Sequence, residues 1–433
     1  MTDYNSIVKA GSSSGIGWFD IYESGGEGIS LSYKNNRAHS VRRGETSGTG
    51  IRININGRTG FSYTNNPKKI NEAIRAAVES APFGEEEDLP LPGHVDPRFE
   101  PYNDSIEGMD LSSQVDMIEN VIDCILQRYP DASVDAGVSA SSGKTRLVNS
   151  SGFDASYRNS FFSASVSVTI INEKGERLEV YENISRLCPE PFDFLTDNLL
   201  KKIDDAAKPA SAESGRLPVI FTPSAFARLI SIVTSGLNGK SVYRGISPFA
   251  GKLGEKIFNE RLTLLNSPAE ADSPFSFPFD DEGVPAEDFF IIEKGAPAAY
   301  AVDLKYAGLL KTAPLPCASR GYSSLPSPSF GPVHVSGGER PLSSLIEGVR
   351  QGLFVDQFIG FGQSNTLTGD FNANLNLAYL IENGEIAGRV KDSMIADNIF
   401  DLLRGDFELS LERETRSGII LPWVIFPSVN YVG

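Results

Sequence analysis

Hydrophobic and polar positions alternate along the first sixty residues with a period of two, the pattern of half-buried strands. The runs Trp18-Phe19-Asp20-Ile21-Tyr22, Gly28-Ile29-Ser30-Leu31-Ser32-Tyr33 and Gly50-Ile51-Arg52-Ile53-Asn54-Ile55 carry it. Asn56-Gly57 then precedes Thr59-Gly60-Phe61-Ser62-Tyr63, which reads as a two-residue hairpin. The period changes after Asn66-Pro67, a capping residue followed by a proline suited to a first helical position. Ile70, Ala73, Ile74, Ala77 and Val78 recur at helical spacing on one face.

Residues 82–108 are rich in proline, glycine and acid, with Glu85-Glu86-Glu87-Asp88, and read as a connector. A second helix is expected from Leu111, with Val115, Ile118, Ile122 and Ile125 on a common face. Strand-like runs follow at 134–139, 145–150, 161–171 and 177–184, the last two joined by the Asn172-Glu173-Lys174-Gly175 turn, which makes an antiparallel meander. Leu195, Leu199, Leu200 and Ile203 restore a helical period, and residues 208–215 form another connector. Beyond it, 217–221 is a short strand and 223–233 a helix, while 312–341 is a long stretch rich in Pro, Ser and Gly. Such a segment costs entropy to order, so contacts are needed to hold it, and a subunit interface or a bound peptide is the expected source. The expected class is α+β. It comprises a small N-terminal α+β domain over residues 1–84, a central helix and β-meander domain over 109–208, and a larger mixed, β-rich domain over 217–433.

Composition narrows the function. A length of 433 residues with 40% hydrophobic and 22% charged positions fits a folded chain of two or three domains. No run approaches the roughly 20 apolar residues of a membrane helix, and no secretory signal is visible. Three separated cysteines, Cys124, Cys188 and Cys317, offer no disulfide framework and point to a reducing cytoplasm. A net charge of −17 argues against broad binding to nucleic acid. The basic set Arg37, Arg42, Arg43, Arg52 and Arg58 reads as a solvated strand face.

Catalytic patterns are weak. Gly11-Ser12-Ser13-Ser14-Gly15 matches a nucleophile elbow only formally, because the strand follows it instead of preceding it. Ser141-Ser142-Gly143-Lys144 and Ser6-Ile7-Val8-Lys9 are chance-length matches to Ser-x-x-Lys, and Gly360-Phe361-Gly362 lacks a dinucleotide loop's third glycine. Only His39, His94 and His334 are available as imidazole ligands, and no two are close in sequence.

Four segments carry a resemblance. Gly236-Leu237-Asn238-Gly239, Gly251-Lys252-Leu253-Gly254-Glu255, Phe279-Asp280-Asp281-Glu282-Gly283 and Leu367-Thr368-Gly369-Asp370-Phe371 resemble the C-terminal half of the TldD/PmbA family. Gly48-Thr49-Gly50-Ile51-Arg52 and Gly57-Arg58-Thr59-Gly60-Phe61 look like its N-terminal signature. These are paired proteins first named as modulators of DNA gyrase and now regarded as a zinc peptidase of two related subunits. In the zinc-bearing TldD subunit a His-Glu-x-x-x-His motif precedes the Gly-Leu-x-Gly segment. Here the six positions read Ile230-Ser231-Ile232-Val233-Thr234-Ser235, so Ile230, Ser231 and Ser235 stand where ligands and base would be. The third ligand, a cysteine, would fall at or near Glu414, counting back from Leu421-Pro422.

The resemblance therefore implies the PmbA/TldE type of subunit, with no catalytic residue and no metal of its own. Zinc would be expected only in a TldD-type partner, and the chain alone would not hydrolyse peptides. Implied partners are such a homologue or a second copy, together with unfolded or modified peptides, but neither DNA nor membrane. A stand-alone peptide-binding or regulatory homodimer is the alternative. Alone, the chain is expected to form a two-fold dimer burying more than roughly 1,000 Å², mainly through its third domain. Asp280, Asp281, Glu282 and Gly283 read as a turn held by side-chain to backbone bonds, with cation binding as the competing reading. Gly251, Gly254, Glu255, Gly369 and Asp370 are expected to shape backbone.

Overall fold

The computed structural model describes residues 15–173, 175–189, 193–270, 272–361, 367–416 and 418–433. The Ser6–Lys9 pattern and all of the 11–15 elbow except Gly15 lie outside the described residues, as does Gly362.

The first sheet has six antiparallel strands in the order β3-β2-β1-β4-β5-β6: β1 (Ile16–Lys34), β2 (Arg37–Ile55), β3 (Arg58–Thr64), β4 (Ser133–Asn149), β5 (Asp154–Ile171) and β6 (Arg177–Arg186). It departs from expectation in two ways. The runs at 18–22 and 28–33 are one strand, as are those at 134–139 and 145–150. Gly25, Gly26 and Gly28 do not break β1, because β2 and β4 hydrogen-bond it on both sides; a Cβ at Gly26 would sit 2.5 Å from the Ser142 carbonyl oxygen. The sheet is also shared: β1 of the first segment pairs with β4 of the second from Asp20 to Tyr33.

Helix α1 (Ile70–Ser80) buries Ala73, Ile74 and Ala77 against Ile51 and Ile53 of β2. Its approach is set by Asn66, whose side chain accepts the Lys68 N–H at 3.0 Å, ahead of Pro67. Helix α2 (Leu111–Arg128) is capped by Asp110, which accepts the Ser113 N–H at 2.8 Å. Its Ile118, Val121, Ile122 and Ile125 share a core with Val134, Ala136, Val138 and Ala140, the alternate residues of β4. Helix α3 (Asp193–Ala206) joins that core through Leu195, Leu199 and Ile203.

In the third segment a closed ring of strands runs β7 (Gly215–Phe221), β8 (Gln351–Ile359), β9 (Asp370–Glu382), β10 (Met394–Asn398) and β12 (Ile419–Val432), which pairs back to β7; β11 (Glu408–Arg416) flanks β12. Helix α4 (Pro223–Gly236) starts at Thr222, which caps it, and buries Phe226, Leu229, Ile230, Ile232 and Val233 in the ring's core. Short helices α5 (Gly239–Tyr243) and α6 (Leu304–Leu310) follow. The α+β class and the three-part architecture are as expected.

Two buried charge networks join the parts. Asp20 and Arg52 of the first sheet meet Glu282 and Arg320 of the third segment: Arg52 lies 2.5 Å from Asp20 and 2.7 Å from Glu282, and Arg320 lies 3.1 Å from Asp20. On the other side, Lys202 of α3 bridges Glu182 and Asp356, and Arg416 bridges Glu182 and Glu414. Arg52 therefore leaves the solvated basic face to which its neighbours belong. The 82–108 connector is not simply solvated either, since Glu85 and Glu87 both pair with Lys305 of α6.

The 312–341 segment has a source of order beyond a subunit interface or a bound peptide. It is ordered by contacts within its own chain. Cys317, Val333 and Val335 are buried, and Arg320 reaches Asp20. Tyr322 lies so close to Gly48 and Gly50 of β2 that a Cβ on either would overlap it, the ring in one case and the backbone carbonyl in the other. Those two glycines of the N-terminal signature make room for this loop.

Candidate functional site

A crevice opens where the end of α4 meets the first sheet. Its cavity of about 610 Å³ is lined by Ser235 in the last turn of α4 and Asn238 just after it, Tyr157 and Asn159 of β5, Phe275, and Asp281. Tyr22, Thr145 and Asn159 also line a second cavity of about 520 Å³, so the space continues along the small-residue middle of the sheet past Gly26, Gly28 and Ser141.

Helix α4 presents one exposed stripe, Arg228, Ser231 and Ser235, because three- and four-residue steps keep these on one face while the core holds the rest. Ser231 donates to the Arg228 carbonyl and Ser235 to the Ser231 carbonyl, each at 2.6 Å, so both hydroxyls are satisfied within the helix. Ile230 is fully buried in the core. A zinc ion does not fit this donor set. Two hydroxyls and an isoleucine supply neither imidazole nor thiolate, and among the described residues no group of three or more His, Cys, Asp or Glu is placed to hold a metal.

Glu414 is not among the crevice-lining residues; it pairs with Arg416 at 2.7 Å on β11. The histidines stay apart: His39 is exposed on β2, His94 contacts Asp96, and His334 lies 3.1 Å from Glu270 in an adjoining cavity of about 330 Å³ that Cys188 also lines and that shares Pro274, Pro332 and Gly418 with the crevice. Burial, helped by Arg413, holds the His334 imidazole below its ordinary value. Cys317 is buried, which pushes its thiol up, aided by Asp280.

The acidic motif forms the crevice's inner wall. Asp280 accepts backbone N–H bonds from Glu282, Val284 and Ala318 at 2.9–3.0 Å. Asp281 accepts the Tyr22 hydroxyl at 2.9 Å and the Arg320 amide at 2.7 Å. Glu282 accepts the Leu304 amide at 2.7 Å besides pairing with Arg52. Gly283 has φ +90°, and a Cβ there would meet Phe153 at 2.9 Å, so both conformation and space require glycine. Burial raises the Asp280 carboxyl well above its ordinary range, with Glu282 adding to it, and burial raises Asp281 as well. Burial also opposes ionisation of Asp20, yet Arg320 and Arg52 together hold it below the usual range.

The remaining motif residues stand away from the crevice. Gly251 and Gly254 adopt positive φ in turns beyond α5, and Glu255 pairs with Lys252. Asp370, after Gly369, accepts from Thr368 and Asn398, which lowers its carboxyl. Ser141–Lys144, by contrast, lies within β4 and lines the second cavity.

Matches to known proteins cover almost all of the described chain. Models of the PmbA/TldA metallopeptidase family match three segments: domain 1 at 19–81, the central domain at 104–212 and the C-terminal domain at 214–433. The chain belongs to the PmbA/TldD family. An uncharacterised protein of Methanocaldococcus jannaschii is 28% identical over 438 residues, covering 98% of each chain. A metalloprotease PmbA homologue of Haemophilus influenzae is 29% identical over 277 residues, 63% of this chain and 58% of its own. The crystal structure of TldE from Thermococcus kodakarensis superposes with a TM-score of 0.91 at 24% identity over 99% of both chains, a likeness of fold. No helix is long and apolar enough to cross a membrane among the described residues.

Residue by residue, the PmbA/TldD motifs had pointed to the acidic wall and contained Arg52, but did not show that the two pair. Asp20, Tyr22, Arg52 and Arg320 complete it. One signal was available for Asp20. Period two places it on the same strand face as Trp18 and Tyr22, where an unpaired carboxylate would be costly.

Proposed function

We propose that this chain is the non-catalytic subunit of a TldD/TldE-type metallopeptidase, receiving an extended peptide in the crevice beside α4 and shaping it for a zinc-bearing partner. The observation that carries this reading is the exposed stripe of α4. At the family's zinc positions the side chains are a core isoleucine and two serines bonded to their own helix, while the crevice beside them stays open. At the zinc positions of α4 no imidazole, thiolate or carboxylate stands ready to hold a metal that would activate water or polarise a carbonyl, so on this reading the crevice walls hold and orient the peptide. Phe275, Tyr157 and Asn159 offer apolar surface beside polar anchors, as peptide-accepting clefts do. The peptides are unfolded or modified ones, and the setting is the cytoplasm.

Assembly tests the reading. Native mass spectrometry of the chain alone should give a two-fold homodimer; with a zinc-bearing homologue from the same organism it should give a one-to-one complex. If the homologue leaves the homodimer untouched, the stand-alone peptide-binding dimer is the better account.

A further inference from the structure

The basic residues of the first segment separate once folded. Arg52 is buried in the charge network, and Arg58 pairs with Glu86 at 2.8 Å. Arg37, Arg42 and Arg43 lie exposed on β2, and among the described residues no ion pair engages them.

These three arginines stand on an open strand edge. β1 covers the inner edge of β2 from Arg37 to Ile55, whereas β3 covers the outer edge only from Thr49 to Ile55. Along residues 37–48, N–H and C=O groups therefore point outward with no described strand to receive them, alternating regularly from Ser40 to Gly48 and interrupted at His39, where Ala38 and Ser40 stand opposite the successive residues Tyr33 and Ser32 of β1. At about 3.3 Å per residue this is roughly 40 Å of free edge. Its backbone is accessible up to Ser47: a Cβ at Gly44 would meet nothing within 4 Å, and Ser40, Thr46 and Ser47 are small, while the Tyr322 ring lies over Gly48 at the end of the edge. Edges this long are normally covered or blunted. Here the charge is three arginines against Glu45, in a chain whose net charge is −17.

We propose that the outer edge of β2, residues 37–48, is a strand-addition site for an extended acidic segment of another protein. Main-chain pairing supplies affinity and the arginines select carboxylates. A second copy fits less well. The two-fold antiparallel self-pairings that use most of the free edge centre on Arg42 or on Arg43 and set that arginine opposite the partner's copy of itself, a like-charge contact. Centring the pair on Gly44 instead places Arg37 opposite Ile51, whose outer edge β3 already occupies. This site does not depend on the subunit role proposed above, which concerns the far end of the crevice.

The test uses the full chain and a fluorescein-labelled twelve-residue peptide alternating Glu with Thr, read by fluorescence anisotropy at low salt. Binding is expected to weaken at least tenfold in the R37E/R42E/R43E variant. A peptide of equal charge N-methylated at every residue, which has no N–H left to donate from either edge, should lose a similar factor against the unaltered chain. Hydrogen exchange should show new protection confined to residues 37–48. Equal binding of the methylated peptide, protection elsewhere, absence of binding, or a homodimer of the peptide-free chain that the triple variant abolishes would each overturn the proposal.

Discussion

Replacing Asp303 by asparagine should stabilise the chain above neutral pH. Asp303 is 3% exposed and caps α6, its carboxylate accepting the Tyr306 N–H at 2.8 Å. Burial, with the Glu282 carboxylate adding to it, pushes its pKa up to about 7 against the pull of the Tyr306 amide, Arg52 and Lys305. The ordinary value is about 3.9. A carboxyl raised in the folded state binds its proton more tightly there than in the unfolded chain. Its contribution to stability is therefore full at low pH and is lost as pH rises from about 4 through about 7. Three decades of proton affinity at about 1.4 kcal/mol each set the loss at roughly 4 kcal/mol at pH 8.5. Asparagine caps helices about as well as aspartate and carries no charge, so D303N should recover most of that amount at pH 8.5 and little near pH 4. Urea unfolding followed by tryptophan fluorescence reads it, because Trp18 packs in one cluster with Leu304. A variant no more stable than the parent at pH 8.5, or one whose gain does not change with pH, would refute the reasoning.

Further expectations concern the same joint and the α4 stripe. R52M leaves Asp20 and Glu282 buried without their shared cation and should cost about 3–5 kcal/mol in urea unfolding; a loss under about 1 kcal/mol means that the network is not what joins the parts. Gly48→Ala strikes the Tyr322 ring whereas Gly50→Ala strikes its backbone, so Y322A should restore the melting temperature of the first and not of the second. Rebuilding the zinc motif as I230H/S231E/S235H should give no stoichiometric zinc by elemental analysis and a lower melting temperature, since position 230 faces the core and Glu414 is engaged by Arg416.

Much of the fold was legible from periodicity. Helices α1 and α2 follow from their apolar spacing, α1 also from its leading Asn66-Pro67, and the meander follows from alternation. What hid the length of β1 and β4 was glycine and serine, which lower strand propensity but cost little where neighbouring strands bond both edges. The sharing of one sheet by two segments was hidden because β1 and β4 pair across a hundred residues, a separation that local patterning does not encode. At the crevice, the replaced zinc positions and the acidic motif could be read directly, since they are contiguous. The groups that neutralise that motif could not: Arg52 and Arg320 lie far from it in sequence, and each reads alone as an ordinary surface cation. The 312–341 segment was legible as long and glycine-rich, but nothing in it announced that its ordering contacts are glycines of β2.

Hydrolysis of an unfolded peptide by the chain alone, by a zinc-bearing homologue from the same organism alone, and by the two mixed tests the subunit role most directly. The account predicts background rates for this chain alone and activity in the mixture that chelators abolish. Peptide cleavage by the isolated chain that disappears on mutating one of its own crevice residues would contradict it.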